Sequence, residues 1–243
     1  MQNDNRPVGI IGAMDSEVRY LIGCLKESNT EKVYGMEFAS GMLCGVPVVV
    51  TRCGIGKVNA ARCTQYLIDR FNPCAVINTG IGGALAPGLK VGDAVIADGL
   101  VQHDFDVTAL GYPKGYMCTG KDKDKPTVMV PDKGISAALM EAARRILEGK
   151  GVRVTEGLIA TGDLFVADSG ARAEIENTFG ASVAEMEGGS IAQVAQAAGV
   201  PFAVLRVVSD TADGQAPTSF DKFEIETAQR SASVIEEFLR GLN

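Results

Sequence analysis

The sequence predicts an α/β domain, and three observations carry that prediction. Phe202 to Asp210 is an almost continuous aliphatic and β-branched run, the pattern of a parallel strand buried on both faces. Val8 to Gly12 and Ala75 to Thr79 are shorter apolar runs that read as further strands. After the first of these, Val18, Leu21, Ile22 and Leu25 recur at the i, i+3, i+4, i+7 spacing of an amphipathic helix. A chain of 243 residues with 46% hydrophobic content can bury a substantial core, and fits one large domain as easily as two small ones. No internal repeat or low-complexity linker divides it, so a single domain over 1–243 is expected.

The elements follow in order. The first strand breaks at Gly12-Ala13-Met14, and Asp15 or Ser16 is the expected cap of the next helix. That puts Glu17 in the first turn, at the rim of the sheet, where an acid suits the helix dipole as well as a site. Met36 to Cys53 reads as a hairpin turning near Cys44-Gly45. Gly54-Ile55-Gly56-Lys57 then opens a helix through Ala60, Ala61, Tyr66, Leu67 and Ile68. This Gly-x-Gly lacks the third glycine and the ribose-binding acid of a dinucleotide fold. The strand at Ala75 to Thr79 ends in Gly80-Ile81-Gly82-Gly83, either a tight turn or a place where backbone approaches a ligand.

Gly92 to Asp98 is another strand, followed by the polar Gln102-His103-Asp104-Phe105-Asp106. From Thr108 to Pro131 periodicity is lost and Gly, Pro and Lys abound, marking an excursion (about 105–131) that serves as a lid or an interface. Ser136 to Leu147 is a helix, Gly157 to Thr161 a strand, and Gly162 to Val166 the loop after it. Ser182 to Glu187 places Glu185 and Glu187 around Met186, just before a helix carrying Ile191, Val194, Ala195 and Ala198. A terminal helix from Phe220 to Leu239 covers one edge of the sheet.

Polar residues inside the apolar runs mark the chemistry. Ser209-Asp210 sits at the carboxyl end of its strand, where an open α/β sheet binds ligands. Desolvation there raises a carboxylate's pKa, which makes Asp210 a candidate general acid; a cap of the following helix is the alternative. Buried carboxylates need partners, and Arg206 is the obvious structural partner for Glu185 or Glu187, with Glu185 favoured. A net charge of −7 argues against a nucleic-acid surface. Six cysteines form no CxxC pair and His103 is the only histidine, which argues against a structural zinc site and a secreted disulfide framework. His103 is read as part of a hydrogen-bonding cluster with Asp104 and Asp106. The polar first seven residues and the lack of a membrane-length apolar run point to a soluble protein of the reducing cytoplasm.

The chain resembles the 5′-methylthioadenosine/S-adenosylhomocysteine nucleosidases of the purine nucleoside phosphorylase superfamily. The resemblance runs nearly end to end. It lies in Ile10-Ile11-Gly12-Ala13-Met14 with Glu17-Val18, Cys53-Gly54-Ile55-Gly56-Lys57-Val58, Ile77-Asn78-Thr79-Gly80 and His103-Asp104-x-Asp106-Val107-Thr108-Ala109. It continues in Gly162-Asp163-x-Phe165, Glu185-Met186-Glu187, Ser209-Asp210-x-Ala212-Asp213 and Ser219-Phe220-Asp221. It implies a three-layer α/β/α sandwich around a twisted mixed sheet, and hydrolysis of the N-glycosidic bond without cofactor or metal. Glu17 would be the base for the attacking water and Asp210 the acid at N7 of adenine. Glu187 would accept from the ribose hydroxyls, with Met186 packed on the sugar. Phe165 would stack on the base, and backbone near Phe165 and Val166 would pair with its edge. Met14, Ile55, Val107 and Phe220 would line the 5′-thio pocket. Leu110 and Tyr112 would reach that pocket from a neighbouring subunit, implying a homodimer. Arg206, Ser209 and the segment Ile81-Gly82-Gly83 complete the expected site.

Rival readings follow from the same resemblance. Phosphorylases of the superfamily hold phosphate with arginines where this chain has Glu17 and Asn78, and a carboxylate there repels the dianion. Related enzymes hydrolyse 6-amino-6-deoxyfutalosine, and a nucleoside-binding protein without catalysis is a further alternative. Ile81 stands where these nucleosidases usually carry serine, Leu110 replaces a common phenylalanine, and Pro113 to Pro126 carries Lys121, Lys123 and Lys125. Those departures bear on substrate range more than on reaction class.

Overall fold

The structure is a computed structural model that describes residues 5–119, 122–147, 149 and 151–242; Lys121 lies outside them. The chain begins with β1 (Val8–Gly12), α1 (Asp15–Gly23), β2 (Lys26–Val33), β3 (Met36–Leu43), β4 (Val46–Arg52) and α2 (Lys57–Phe71). It continues with β5 (Ala75–Ala84), β6 (Ala94–Gln102), a 3₁₀ turn at Thr108–Leu110 and α3 (Lys133–Leu147). β7 (Val154–Thr161), α4 (Ser169–Phe179), β8 (Val183–Glu185), α5 (Gly188–Ala197), β9 (Phe202–Asp210) and α6 (Ala216–Arg240) complete it.

The nine strands form one mixed sheet with helices on both sides, in the order β2-β3-β4-β1-β5-β8-β7-β6-β9. β1 pairs parallel with β4 and β5, while β2, β3 and β4 form an antiparallel meander at one edge. The turn between β3 and β4 falls at Cys44-Gly45 as expected. Both residues have positive φ (51° and 83°), the two-residue hairpin geometry that matches strand twist. The sheet is not simply open. β5 pairs along its length with β9 and at its end with β8, and β6 pairs antiparallel with β9, so these strands close on themselves. Gly82 makes that fork feasible: a Cβ there would lie 2.6 Å from Val183 Cγ1 and 2.8 Å from the Ala184 carbonyl oxygen.

Alternation along the central strands explains the layers. In β1, Ile10 faces one side and Ile11 the other, and both are fully buried. Ile10, Ile77 and Leu205 pack under α1, α3 and α6 through Val18, Leu21, Leu139 and Ile235. Ile11, Val76 and Val204 pack under α2 and α5 through Cys63, Leu67, Ile191 and Ala195. A strand buried on both faces is apolar at most positions, which is why β1, β5 and β9 were visible as runs.

Four sequence expectations need correction. Met14, not Asp15 or Ser16, occupies the cap position of α1, and the Glu17 side chain reaches back to its N–H. β5 does not stop before the glycines but runs through them to Ala84, because β8 and β9 supply ladder partners on both sides. β6 begins at Ala94 and takes in Gln102. The terminal helix starts at Ala216, with proline in its first turn, rather than at Phe220. β2 and α4 were not foreseen: β2 is a polar, exposed edge strand paired only with β3, and α4 buries only Ile175 in its core-facing stripe.

Candidate active site

The ends of β1, β5 and β9, which run parallel, open onto one cavity of about 610 Å³, counting its solvent-open mouth. Glu17 and Asp210 both line it, with Met14, Ile55, Ile81, Gly82, Gly83, Phe165, Val166, Glu185, Met186, Glu187, Ser209 and Phe220. Fourteen residues proposed from sequence therefore meet in one place. Ala13, Leu164 and Ala184 also line it and were missed, since a small or aliphatic residue in an apolar run carries no local mark.

Glu17 is 4% exposed and held by backbone. Its Oε2 accepts from Ala13 N–H at 2.6 Å and Met14 N–H at 3.0 Å, and its Oε1 from Ile81 N–H at 3.1 Å. Burial pushes its pKa up; the Arg206 charge and the three amides pull the other way without cancelling that. Gly80 makes room for it, because a Cβ there would stand 2.5 Å from Oε1.

Asp210 is also buried. Its Oδ2 accepts from Ser209 Oγ at 2.8 Å, and its Oδ1 accepts from Ala212 N–H at 2.9 Å. Burial raises its pKa, and those two donors oppose the shift. It does not cap α6, whose cap is Gln215 with no side-chain cap bond. The capping alternative is thereby removed. Gly83 packs beneath it: an added Cβ would lie 2.8 Å from Oδ1.

Glu187 and Glu185, two residues apart, have opposite surroundings. Glu187 Oε1 accepts from Gly56 N–H at 2.8 Å, and burial followed by the Glu185 charge pushes its pKa up. Glu185 is ion-paired to Arg206, as expected, and bonded by Thr161 Oγ1. It also accepts from Glu187 N–H at 3.0 Å and Gly188 N–H at 2.7 Å, and so fixes the start of α5. Burial works to raise its pKa, but Arg206, Thr161 and the Gly188 amide outweigh it, and it is held below the usual carboxylate range. Arg206 lies behind the cavity wall rather than in it, bonded to Asn78 Oδ1 at 2.5 Å.

The Gly54–Lys57 turn is anchored by a network that sequence reasoning did not find. Lys57 Nζ pairs with Asp104 Oδ1 at 2.6 Å, and Lys57 N–H donates to Asp163 Oδ1 at 2.8 Å. Asp163 N–H in turn donates to Asp104 Oδ2 at 2.9 Å. His103 lies buried next to Gly162 and outside the cavity, with burial lowering its pKa. Its Nε2 has no hydrogen-bond partner among the described residues, so the expected cluster with Asp104 and Asp106 does not form through it; Asp106 instead accepts from the Thr108 N–H and hydroxyl. Val107, Leu110 and Tyr112 do not reach the cavity of their own chain. Leu110 is 71% exposed, while Tyr112 packs on Tyr116 with ring centroids 4.9 Å apart.

Comparison with known proteins agrees with this geometry. Residues 7–240 match the phosphorylase superfamily. A 5′-methylthioadenosine/S-adenosylhomocysteine nucleosidase of Shewanella baltica (strain OS185) is 42% identical over 238 residues, 97% of each chain. The crystal structure of the nucleosidase of that name from Neisseria meningitidis, in complex with methylthio-immucillin-A, superposes with a TM-score of 0.90 at 38% identity. The match covers 97% of this chain and 99% of that one. A futalosine hydrolase mutant of Helicobacter pylori strain 26695 superposes with a TM-score of 0.88 at 31% identity, over 97% and 99% of the two chains. With Glu17, Glu187 and Asp210 gathered in one cavity on this sheet, the chain belongs to the phosphorylase superfamily and, within it, to the 5′-methylthioadenosine/S-adenosylhomocysteine nucleosidase family.

Proposed function

We propose that this protein hydrolyses the N-glycosidic bond of 5′-methylthioadenosine and S-adenosylhomocysteine, releasing adenine and the 5-thio-substituted ribose. One observation carries the reading. Glu17 packs against Gly80 and Asp210 against Gly83 of the same strand, and both line the same cavity. Three residues of strand separate those glycines by about 10 Å, a span that a nucleoside can bridge.

Breaking the bond between C1′ and N9 builds positive charge on the sugar and negative charge on the base. Asp210, with its pKa raised by burial, holds a proton to give to N7 as the base leaves. Glu17 accepts a proton from the water that attacks C1′, and the nearby carboxylates stabilise the cationic sugar. Glu187 takes the ribose hydroxyls and Met186 packs on the ring. Phe165 stacks on adenine, supported by an edge-to-face contact with Phe220 at 5.6 Å. Neither metal nor organic cofactor takes part in these steps.

Adenine release from each nucleoside in phosphate-free buffer tests the proposal. Turnover that appears only with phosphate would make the protein a phosphorylase. Binding without release, unaffected by Asp210→Asn, would make it a binding protein. The likeness to a futalosine hydrolase supports a second substrate, 6-amino-6-deoxyfutalosine, cleaved at the same bond; a side-by-side substrate panel separates the two.

The working unit is a homodimer in this reading, with Leu110 and Tyr112 completing the partner's 5′-substituent pocket. The exposure of Leu110 supports it. A single domain is part of this reading, supported by the one continuous sheet of the described residues. The cysteines outside disulfides suit a cytoplasmic setting. Among the described residues no helix is long and apolar enough to cross a membrane.

A further inference from the structure

Three backbone amides from two elements converge on one point. Ala13 and Met14 supply theirs at the amino end of α1, and Ile81 supplies the third from β5. They donate at 2.6, 3.0 and 3.1 Å, and every one of these bonds ends on Glu17. A buried cation stands behind them. Arg206 is 2% exposed, is the ladder partner of Gly80, and its charge acts on Glu17. Its Nε has no hydrogen-bond partner among the described residues. Amides aimed from a helix start and a strand, backed by a guanidinium, are the equipment of an oxyanion site. Here the protein fills that site with its own side chain.

We propose that the Glu17 carboxylate is the built-in occupant of an anion site formed by the Ala13, Met14 and Ile81 amides, and that truncating the side chain leaves a site for a small carboxylate such as formate. Formate is planar and singly charged, and offers two oxygens where Glu17 offers two. Phosphate is tetrahedral and brings more negative charge close to Glu185 and Glu187, so the site selects formate over phosphate. The apolar Ile81 side chain, 7% exposed, lines the cavity wall beside its own amide. The binding claim stands on these contacts alone; its activity arm rests on the hydrolysis proposed above. In that arm formate takes the proton of the attacking water as its oxygen bonds to C1′. The C1′–N9 bond breaks, adenine leaves with the Asp210 proton, and formic acid ionises as Asp210 is reprotonated.

The test compares full-length wild type, Glu17→Ala and Glu17→Gln in formate and in chloride at equal ionic strength. Thermal unfolding is followed beside adenine release from 5′-methylthioadenosine. At ten times its dissociation constant, formate favours folded Glu17→Ala about 11-fold. Glu17→Gln, whose amide still fills the cradle, does not respond. Formate also restores at least about 10-fold of the activity that Glu17→Ala loses, a fraction of what a positioned base supplies. Equal stabilisation of all three proteins, or none of Glu17→Ala, overturns the proposal, and so does stronger stabilisation by phosphate. Should Glu17→Ala not fold, Glu17→Ser is read by the same criteria. Wild type that releases no adenine, alongside formate-stabilised Glu17→Ala, refutes the hydrolase reading and leaves the anion site standing.

Discussion

The proposed reaction needs Asp210 to carry a proton near neutral pH, and its neighbours pull that property in opposite directions. Burial raises its pKa, while the Ser209 hydroxyl stabilises the charged form. Ser209→Ala removes that donor, so the acid becomes weaker still. The alkaline limb of kcat/KM should move to higher pH in this variant, and a limb that stays put or moves down would detach it from Asp210. Asp210→Asn, which cannot donate the proton, should lower kcat by about 10²–10⁴-fold. Gly80 matters for space rather than flexibility: Gly80→Ala sets a Cβ against Glu17 Oε1 and must displace that carboxylate. Its kcat should fall with thermal stability less affected than activity, as steady-state kinetics and an unfolding scan would register. Asp210 and Glu187 were legible in the sequence because charge in an apolar run is conspicuous. Lys57, Asp104 and Asp163 were not, because each is ordinary in its own loop and meaningful only once the loops meet.

Between elements, the bond that matters most joins β8 to β9. Arg206 and Glu185 are both about 2% exposed at the side chain, and Glu185 also ties down the start of α5, from which Glu187 is presented. Glu185→Gln leaves the arginine charge buried without its counter-ion, which should destabilise the fold by about 3–5 kcal/mol. Pairing it with Arg206→Met should recover much of that loss in denaturant titrations. The sign with pH is fixed. Glu185 is held below its ordinary value of 4.5, so its stabilisation is complete above that value and lost as pH falls through the folded one. Acid unfolding of Glu185→Gln should lack that contribution. At this scale the sequence named the pair but missed β2, whose polar residues face solvent on a sheet edge and carry no apolar alternation. It also cut β5 short, because glycines read as a turn wherever the strands that will flank them are unknown.

For the molecule as a whole, the excursion after β6 is the segment on which the proposed dimer rests. Leu110 is exposed and outside the cavity of its own chain, which is expected if it serves a second copy. Leu110→Asp should shift the protein toward monomer in light scattering and raise KM for 5′-methylthioadenosine, while an unchanged mass would remove the dimer from the proposal. By itself the sequence determined the α/β class, the buried strands and the acids worth suspecting, because burial on two faces and charge in apolar surroundings are local facts. Only the tertiary structure decided that the sheet folds back on itself through β5, and that Glu17 and Asp210 share one hollow. Those outcomes depend on pairings between strands more than a hundred residues apart, which no local pattern encodes.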